Sequence, residues 1–219
     1  MKRHRGGVLT QHLRDYIRGT FVAGACADSL AMPFEGLWRE QIADLYDGNV
    51  RYRDSTHSPV SKGLKRGVTT DDTQLSIATA LSIVESECVD AQSIGEYMAQ
   101  VHKSPGLRGG GMSTRKALGR ILKGVLIHES GDETGYGCGA AMRIYPIGLL
   151  PGNGRNKEEL IADVTYITHN NPVALASSMA VAYAIGHLLG GRNSVQSDPE
   201  KKAFLKKVEH WSNYEAPSE

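Results

Sequence analysis

The chain has 219 residues, 40% of them hydrophobic and 22% charged, enough apolar content for one large domain or two small ones and too much for a disordered chain. The formal net charge of +1 gives no electrostatic reason to expect a nucleic-acid partner. The three cysteines, Cys26, Cys88 and Cys138, are far apart, odd in number and without CxxC spacing, which argues against a disulfide framework or a structural zinc site and fits a reducing cytoplasm.

Residues 1–8 are basic and read as a flexible N-terminal arm rather than a signal peptide, because no long apolar run follows. Leu9, Leu13 and Ile17 recur at i, i+4 spacing and lead into Phe21 and Val22, predicting a helix that ends between Asp28 and Pro33. Residues 46–68 are rich in turn formers (Gly48, Asn49, Asp54, Ser55, Pro59, Gly63). A loop of that length in a compact domain is a lid, a binding loop or a disordered segment. Residues 73–87 are strongly helical. Leu75, Ile77, Ala78, Leu81 and Val84 cover more than one face there, which predicts a central helix.

Further helices are expected over 91–101, 113–125, 142–150, 157–168, 172–189 and 200–211. The stretch 172–189 carries no Asp, Glu, Lys or Arg and sits at the short limit for crossing a bilayer. Its alanines and its Ser177, Ser178, Tyr183 and His187 favour a core helix buried on all sides, with no membrane insertion. In the last helix Phe204, Val208 and Trp211 share a face, and Lys201, Lys202, Lys206 and Lys207 form a solvated one. With no alternating strand, repeat or composition break, the expected fold class is all-α, a single compact domain over residues 9–219.

Thr69-Thr70-Asp71-Asp72-Thr73 places hydroxyls and adjacent carboxylates at a helix start. These are hard oxygen donors suited to Mg²⁺, Mn²⁺ or Ca²⁺, and they are also ordinary N-terminal caps. Arg108-Gly109-Gly110-Gly111 precedes Ser113, a candidate N-cap, and Gly135-Tyr136-Gly137-Cys138-Gly139 precedes the helix at 140–150. Such loops let backbone N–H groups approach a phosphate, and a pair of them fits a diphosphate; equally, they are flexible connectors. Glu35 after Pro33 is a candidate general base. His169, at the start of the apolar helix, is a candidate donor to phosphate or hydroxyl, or a histidine that merely bonds the backbone. Neither a nucleophile elbow nor a P-loop is present.

Four segments then carry a resemblance. Gly24-Ala25-Cys26-Ala27-Asp28-Ser29-Leu30-Ala31-Met32-Pro33-Phe34-Glu35, Thr70-Asp71-Asp72-Thr73, Tyr136-Gly137-Cys138-Gly139-Ala140-Ala141-Met142-Arg143 and Thr168-His169 resemble, in order, motifs of the ADP-ribosylglycohydrolase family. The resemblance implies an all-α fold with a binuclear Mg²⁺ (or Mn²⁺) centre that holds the distal ribose and positions a water to attack the anomeric carbon. It implies Thr70, Asp71 and Asp72 as metal ligands, and Glu35 with Asp71 and Asp72 as catalytic groups. Gly109, Gly135, Tyr136, Gly137 and His169 would bind the adenosine diphosphate part of the substrate. The implied partner is an ADP-ribosylated protein or ADP-ribose, with no nucleic acid and no membrane.

The sequence departs from that pattern in three places. A second metal motif of the Gly-Asp-x-Asp-Thr type is missing: after Asp72, Asp occurs only at Asp90, Asp132, Asp163 and Asp198. Ala27 and Ala31 stand where glycine is usual, and Cys138 where asparagine is usual. The expectation is therefore a C-terminally shortened domain whose second metal site is in doubt: a truncated form, a fragment, or half of a site completed by a homo-oligomer or a second chain. Two alternatives to hydrolysis follow: a non-catalytic ADP-ribose-binding module, or a structural or assembly protein derived from the same fold.

Overall fold

A computed structural model describes residues 11–47, 49–150, 156–189 and 197–212; the basic arm at 1–8 and Leu9 lie outside them. Among the described residues the secondary structure is helical, and the one ladder contact is an isolated parallel bridge between Asp132 and His169. The helices are α1 (Gln11–Ala31), α2 (Arg39–Tyr46), α3 (Asp71–Ser86), α4 (Ala91–Lys103), α5 (Met112–Leu122), α6 (Ile127–Ser130), α7 (Tyr145–Gly148), α8 (Lys157–Tyr166), α9 (Pro172–Leu189) and α10 (Asp198–Ser212), with 3₁₀ turns at Met32–Phe34 and Ala141–Arg143. The all-α expectation holds.

Local chemistry sets several boundaries. The Asp90 carboxylate accepts the Gln92 N–H at the start of α4, and the Asn156 side chain accepts the Glu158 N–H at the start of α8. Pro105 follows closely on the end of α4, where a helix cannot continue. The expected continuous helix over 142–150 is broken. Pro146 has no N–H to give to the Met142 carbonyl, so a 3₁₀ turn and a single α-turn form instead. Helix α5 begins at Met112 with Gly111 as N-cap, so Ser113 is not the cap.

The core is one cluster in which Leu75 of α3, Ile94 and Met98 of α4, Leu118 of α5, Ile144, Ile147 of α7, Ile161 and Val164 of α8, and Leu175 and Met179 of α9 are all fully or almost fully buried. The reading of α3 as central needs correction. It buries Leu75 and Ala78, whereas Ile77, Leu81 and Val84, at i, i+4, i+7, are 45%, 50% and 73% exposed. Helix α9 is long and apolar enough to cross a membrane by length and composition alone. It is not buried on all sides: Leu175, Ser178, Met179 and Ala182 are inside, and Val173 and Leu188 are outside. The lysines of α10 lie on the exposed face, as expected.

The 49–68 loop is hydrogen-bonded to itself and to the turn that carries Glu35. Ser55, Ser58 and Ser61 are buried, and the Ser61 hydroxyl donates to the Met32 carbonyl at 2.6 Å. Gly36 has φ +76°, and a Cβ there would fall 2.7 Å from Pro59 Cγ. Only glycine lets this loop seat against the chain next to Glu35.

Candidate active site

Three segments bring four carboxylates together. Asp28 lies near the C-terminal end of α1, Glu35 follows the 3₁₀ turn after it, and Asp71 and Asp72 open α3. The Asp28 carboxylate accepts from Thr70 N at 2.8 Å, Thr70 Oγ1 at 2.7 Å, Thr73 N at 3.3 Å and Thr73 Oγ1 at 2.6 Å. Thr70 is the N-cap residue of α3, yet its side chain makes no capping bond. Its hydroxyl instead meets Asp28 and Asp72, the latter at 3.1 Å. The Thr-Asp-Asp-Thr run is thus more than a helix cap.

The first turn of α3 is stitched to the turn at 106–110. Asp71 N donates to the Arg108 carbonyl at 2.8 Å, and Gly110 N donates to Asp71 Oδ1 at 3.0 Å. The Gln74 side chain bridges Gly106 and Arg108. Gly109 has φ +86°, and a Cβ on it would lie 3.2 Å from Asp71 Oδ1 and 3.7 Å from Glu35 Oε2. This glycine therefore presses against the acidic cluster. In the first glycine-rich loop the Gly110 N–H, expected to be open to a phosphate, is engaged by Asp71.

Crowding of like charges shows in the titration of these groups. Burial first, then Asp72 and Asp28, push Asp71 from its ordinary 3.8 to about 6 against the lowering pull of the Gly110 N–H. Asp72 is raised by burial and by Asp28. Glu35 is exposed as a residue, but partial burial at its carboxyl, then Asp71, Asp72 and Asp28, raise it to about 7. Cys138, in the second glycine-rich loop, is raised by burial and next by Asp72, which brings that loop beside the same cluster.

The other side of the second glycine-rich loop rests on His169. A Cβ on Gly139 would fall 2.6 Å from His169 Cε1 and 2.8 Å from Thr114 Oγ1; one on Gly135 would fall 2.4 Å from Ser113 Oγ and 3.3 Å from His169 Cδ2. Asn171 ties this loop to α9, donating to the Gly135 carbonyl at 2.7 Å and accepting from Ala174 N at 2.9 Å. The capping of α9 is therefore done by Asn171 and not by His169. His169 is 2% exposed, and burial and then Arg143 hold its pKa down at about 4. Tyr136 is 71% exposed and Gly137 meets nothing within 4 Å, so these two face outward while Gly135 and His169 face inward.

The structure thus places Glu35, Thr70, Asp71, Asp72 and Gly109 together, and Gly135 with His169 on the other flank of the loop that carries Cys138. It adds Asp28, Thr73 and Arg143, which the sequence presents only as parts of motifs. Asp28 and Arg143 each stand as a lone charge within a long uncharged stretch, and that is the signal that marks them. The donor chemistry of Thr70, Asp71 and Asp72 fits a hard divalent cation, whose charge would relieve the repulsion that raises both carboxylates. Among the described residues, however, no three His, Cys, Asp or Glu side chains form a ready coordination group.

Comparisons with known proteins bear on the family and the fold. The family model described as ADP-ribosylglycohydrolase matches residues 9–217. An uncharacterized protein of Archaeoglobus fulgidus is 34% identical over 174 residues, 79% of this chain and 55% of the relative. The ADP-ribosyl-[dinitrogen reductase] glycohydrolase of Rhodospirillum rubrum is 29% identical over 185 residues, 82% of this chain and 60% of the relative. An uncharacterized Escherichia coli protein, YegU, is 28% identical over 81% of this chain and 55% of its own length. A solved structure titled "ADP-ribosylglycohydrolase-related protein complex" superposes with a TM-score of 0.66 at 24% identity, covering 92% of this chain and 63% of that one, a likeness of fold. The chain spans between 55% and 60% of the length of these curated relatives. By its motifs, its helical fold and the family match across nearly its whole length, the chain belongs to the ADP-ribosylglycohydrolase family.

Proposed function

We propose that this chain serves a glycohydrolase that cleaves the N- or O-glycosidic bond between ADP-ribose and a modified protein side chain. The observation that carries this reading is the convergence of Asp28, Glu35, Asp71 and Asp72 beside the glycine-rich loop at 135–139. Glu35, titrating near neutrality, takes a proton from the attacking water and returns it to the departing aglycone. One C–N or C–O bond breaks and one C–O bond to water forms. The anionic field of Asp71 and Asp72 stabilises positive charge at the anomeric carbon as the bond opens. The loop at 135–139 and His169 hold the diphosphate. A divalent cation, Mg²⁺ or Mn²⁺, when held by Thr70, Asp71 and Asp72, supplies Lewis-acid polarisation of the ribose hydroxyls.

The incomplete ligand set favours one second reading, a module that binds ADP-ribose without turning it over. Both are tested by incubating the chain with an ADP-ribosylated peptide with and without Mg²⁺ and measuring released ADP-ribose. Mg²⁺-dependent release that is lost in the double variant Asp71→Ala, Asp72→Ala supports hydrolysis; unchanged release in that variant refutes it. ADP-ribose binding with no release supports the second reading.

A further inference from the structure

Arg143 is fully buried, and among the described residues no carboxylate lies within ion-pair distance of it. Its Nη1 donates to the Val164 carbonyl at 3.2 Å and its Nη2 donates to Thr168 Oγ1. A guanidinium has five N–H donors and no acceptor, so Thr168 Oγ1 can only receive a hydrogen from Arg143. Thr168 is 0% exposed, and its hydroxyl still has one proton to place. The remaining partner of that oxygen is His169 Nδ1, at 2.8 Å. If Nδ1 carried a hydrogen, the threonine oxygen would face two donors and its own proton would be buried without an acceptor. With Nδ1 bare, the Thr168 hydroxyl accepts from Arg143 and donates to His169, so its oxygen and its proton are both placed; among the described residues the Arg143 Nε–H is the one buried donor of the relay left without a partner.

We infer that Arg143 and Thr168 are positioning residues: they fix His169 as its Nε2–H tautomer and aim that N–H at the glycine-rich loop between Gly135 and Gly139, where it donates to an anionic oxygen of the ligand. The aim follows from the ring's surroundings. The Cβ positions that Gly135 and Gly139 lack fall 3.3 Å from His169 Cδ2 and 3.1 Å from Nε2, so the edge of the ring opposite Thr168 faces the loop. No described residue hydrogen-bonds Nε2. The loop is held in turn by Asn171, which donates to the Gly135 carbonyl, and by the backbone exchange in which Asp132 N donates to the Thr168 carbonyl at 3.0 Å and Asn170 N to the Asp132 carbonyl at 3.1 Å. Burial first, and then the neighbouring Arg143 charge, keep the ring neutral, so the donor is a directed N–H and not a diffuse positive charge. The ligand half of the inference rests on the proposed reading of the loop as a diphosphate cradle; the tautomer half does not.

The experiment is a long-range ¹H–¹⁵N correlation spectrum of the full chain labelled at histidine nitrogens, at neutral pH, with His169→Gln to assign the signals. The expected spectrum shows His169 with Nε2 protonated and Nδ1 as acceptor. Thr168→Ser keeps that pattern. Thr168→Val shifts the ring toward the Nδ1–H form and weakens ADP-ribose binding by about three- to tenfold, the loss of one directed hydrogen bond. A wild-type ring in the Nδ1–H form overturns the relay, and so does a Thr168→Val ring that is unchanged. Should Thr168→Val fail to fold, the wild-type and Thr168→Ser spectra decide. An Nε2–H ring in a chain that binds no ADP-ribose refutes the diphosphate reading and leaves the relay standing. ADP-ribose binding by a chain with an Nδ1–H ring does the reverse.

Discussion

Replacing Asp71 by Asn should make the cation-free protein more stable while removing its activity. Asp71 is 4% exposed, and burial with its acidic neighbours moves its pKa from 3.8 to about 6. The folded state therefore holds this proton more tightly than the unfolded chain does. Ionisation opposes folding progressively between about pH 4 and pH 6, fully above that window and not at all below it. At about 1.4 kcal/mol per pH unit, the span from 3.8 to about 6 sets a ceiling of about 3 kcal/mol. Asparagine keeps an oxygen for the Gly110 N–H and turns an amide donor toward the acidic neighbours. The expected gain in unfolding free energy, in EDTA at about pH 8, is about 1–3 kcal/mol. Urea titration followed by far-UV circular dichroism reads it, with the same pair compared at about pH 4, where the two curves should coincide. Saturating Mg²⁺ should then stabilise the wild type more than the variant. A variant less stable than wild type in EDTA at about pH 8, or one stabilised equally at both pH values, would refute the reasoning.

Glu35→Gln should raise the urea midpoint at about pH 8 and leave it unchanged at about pH 4, because partial burial and the neighbouring carboxylates that lift the Glu35 pKa to about 7 oppose folding once it ionises. It should lower ADP-ribose release by about 10²–10⁴-fold and abolish the rise in activity through about pH 7 that a general base with this pKa confers. Gly139→Ala should destabilise the fold by about 1–3 kcal/mol, since the new methyl would meet His169 and Thr114 at 2.6 and 2.8 Å. Gly137→Ala, with nothing within 4 Å, should stay within about 0.5 kcal/mol of wild type in the same titration. Arg143→Met should leave the Val164 carbonyl and Thr168 Oγ1 without their donor, costing about 1–3 kcal/mol, and at the same time relieve the burial that lowers the guanidinium pKa to about 9; a lower urea midpoint is expected, and a higher one would show that the relieved charge outweighs the lost bonds.

Much of the helical layout is legible in the residues because periodic apolar spacing and polar caps coincide, as at Asp90 before α4 and Asn156 before α8. Helix α2 is not, because its eight residues offer one short apolar set, Ile42, Leu45 and Tyr46, of which only Tyr46 is buried. The exposed Ile77, Leu81 and Val84 show the limit of that signal: periodicity tells which residues share a face, not whether anything covers it. The Asp71–Asp72 pair announces itself by adjacency at a helix start. Asp28 and Arg143 stand out only as lone charges in uncharged stretches; their partners lie 42 and 25 positions away, and such pairings belong to the tertiary structure.

Asp28 receives four hydrogens from just two residues, Thr70 and Thr73. The three positions consequently behave as one unit of variation. Losing the carboxylate strands the Thr73 hydroxyl and leaves that of Thr70 with Asp72 alone, and losing either threonine leaves the others holding part of a network built for three. Their substitution energies should not add, and a lineage exchanging one must pass through a sequence in which the end of α1 and the start of α3 are tied by fewer strands. What looks like two separate motifs in the chain is, energetically, a single joint.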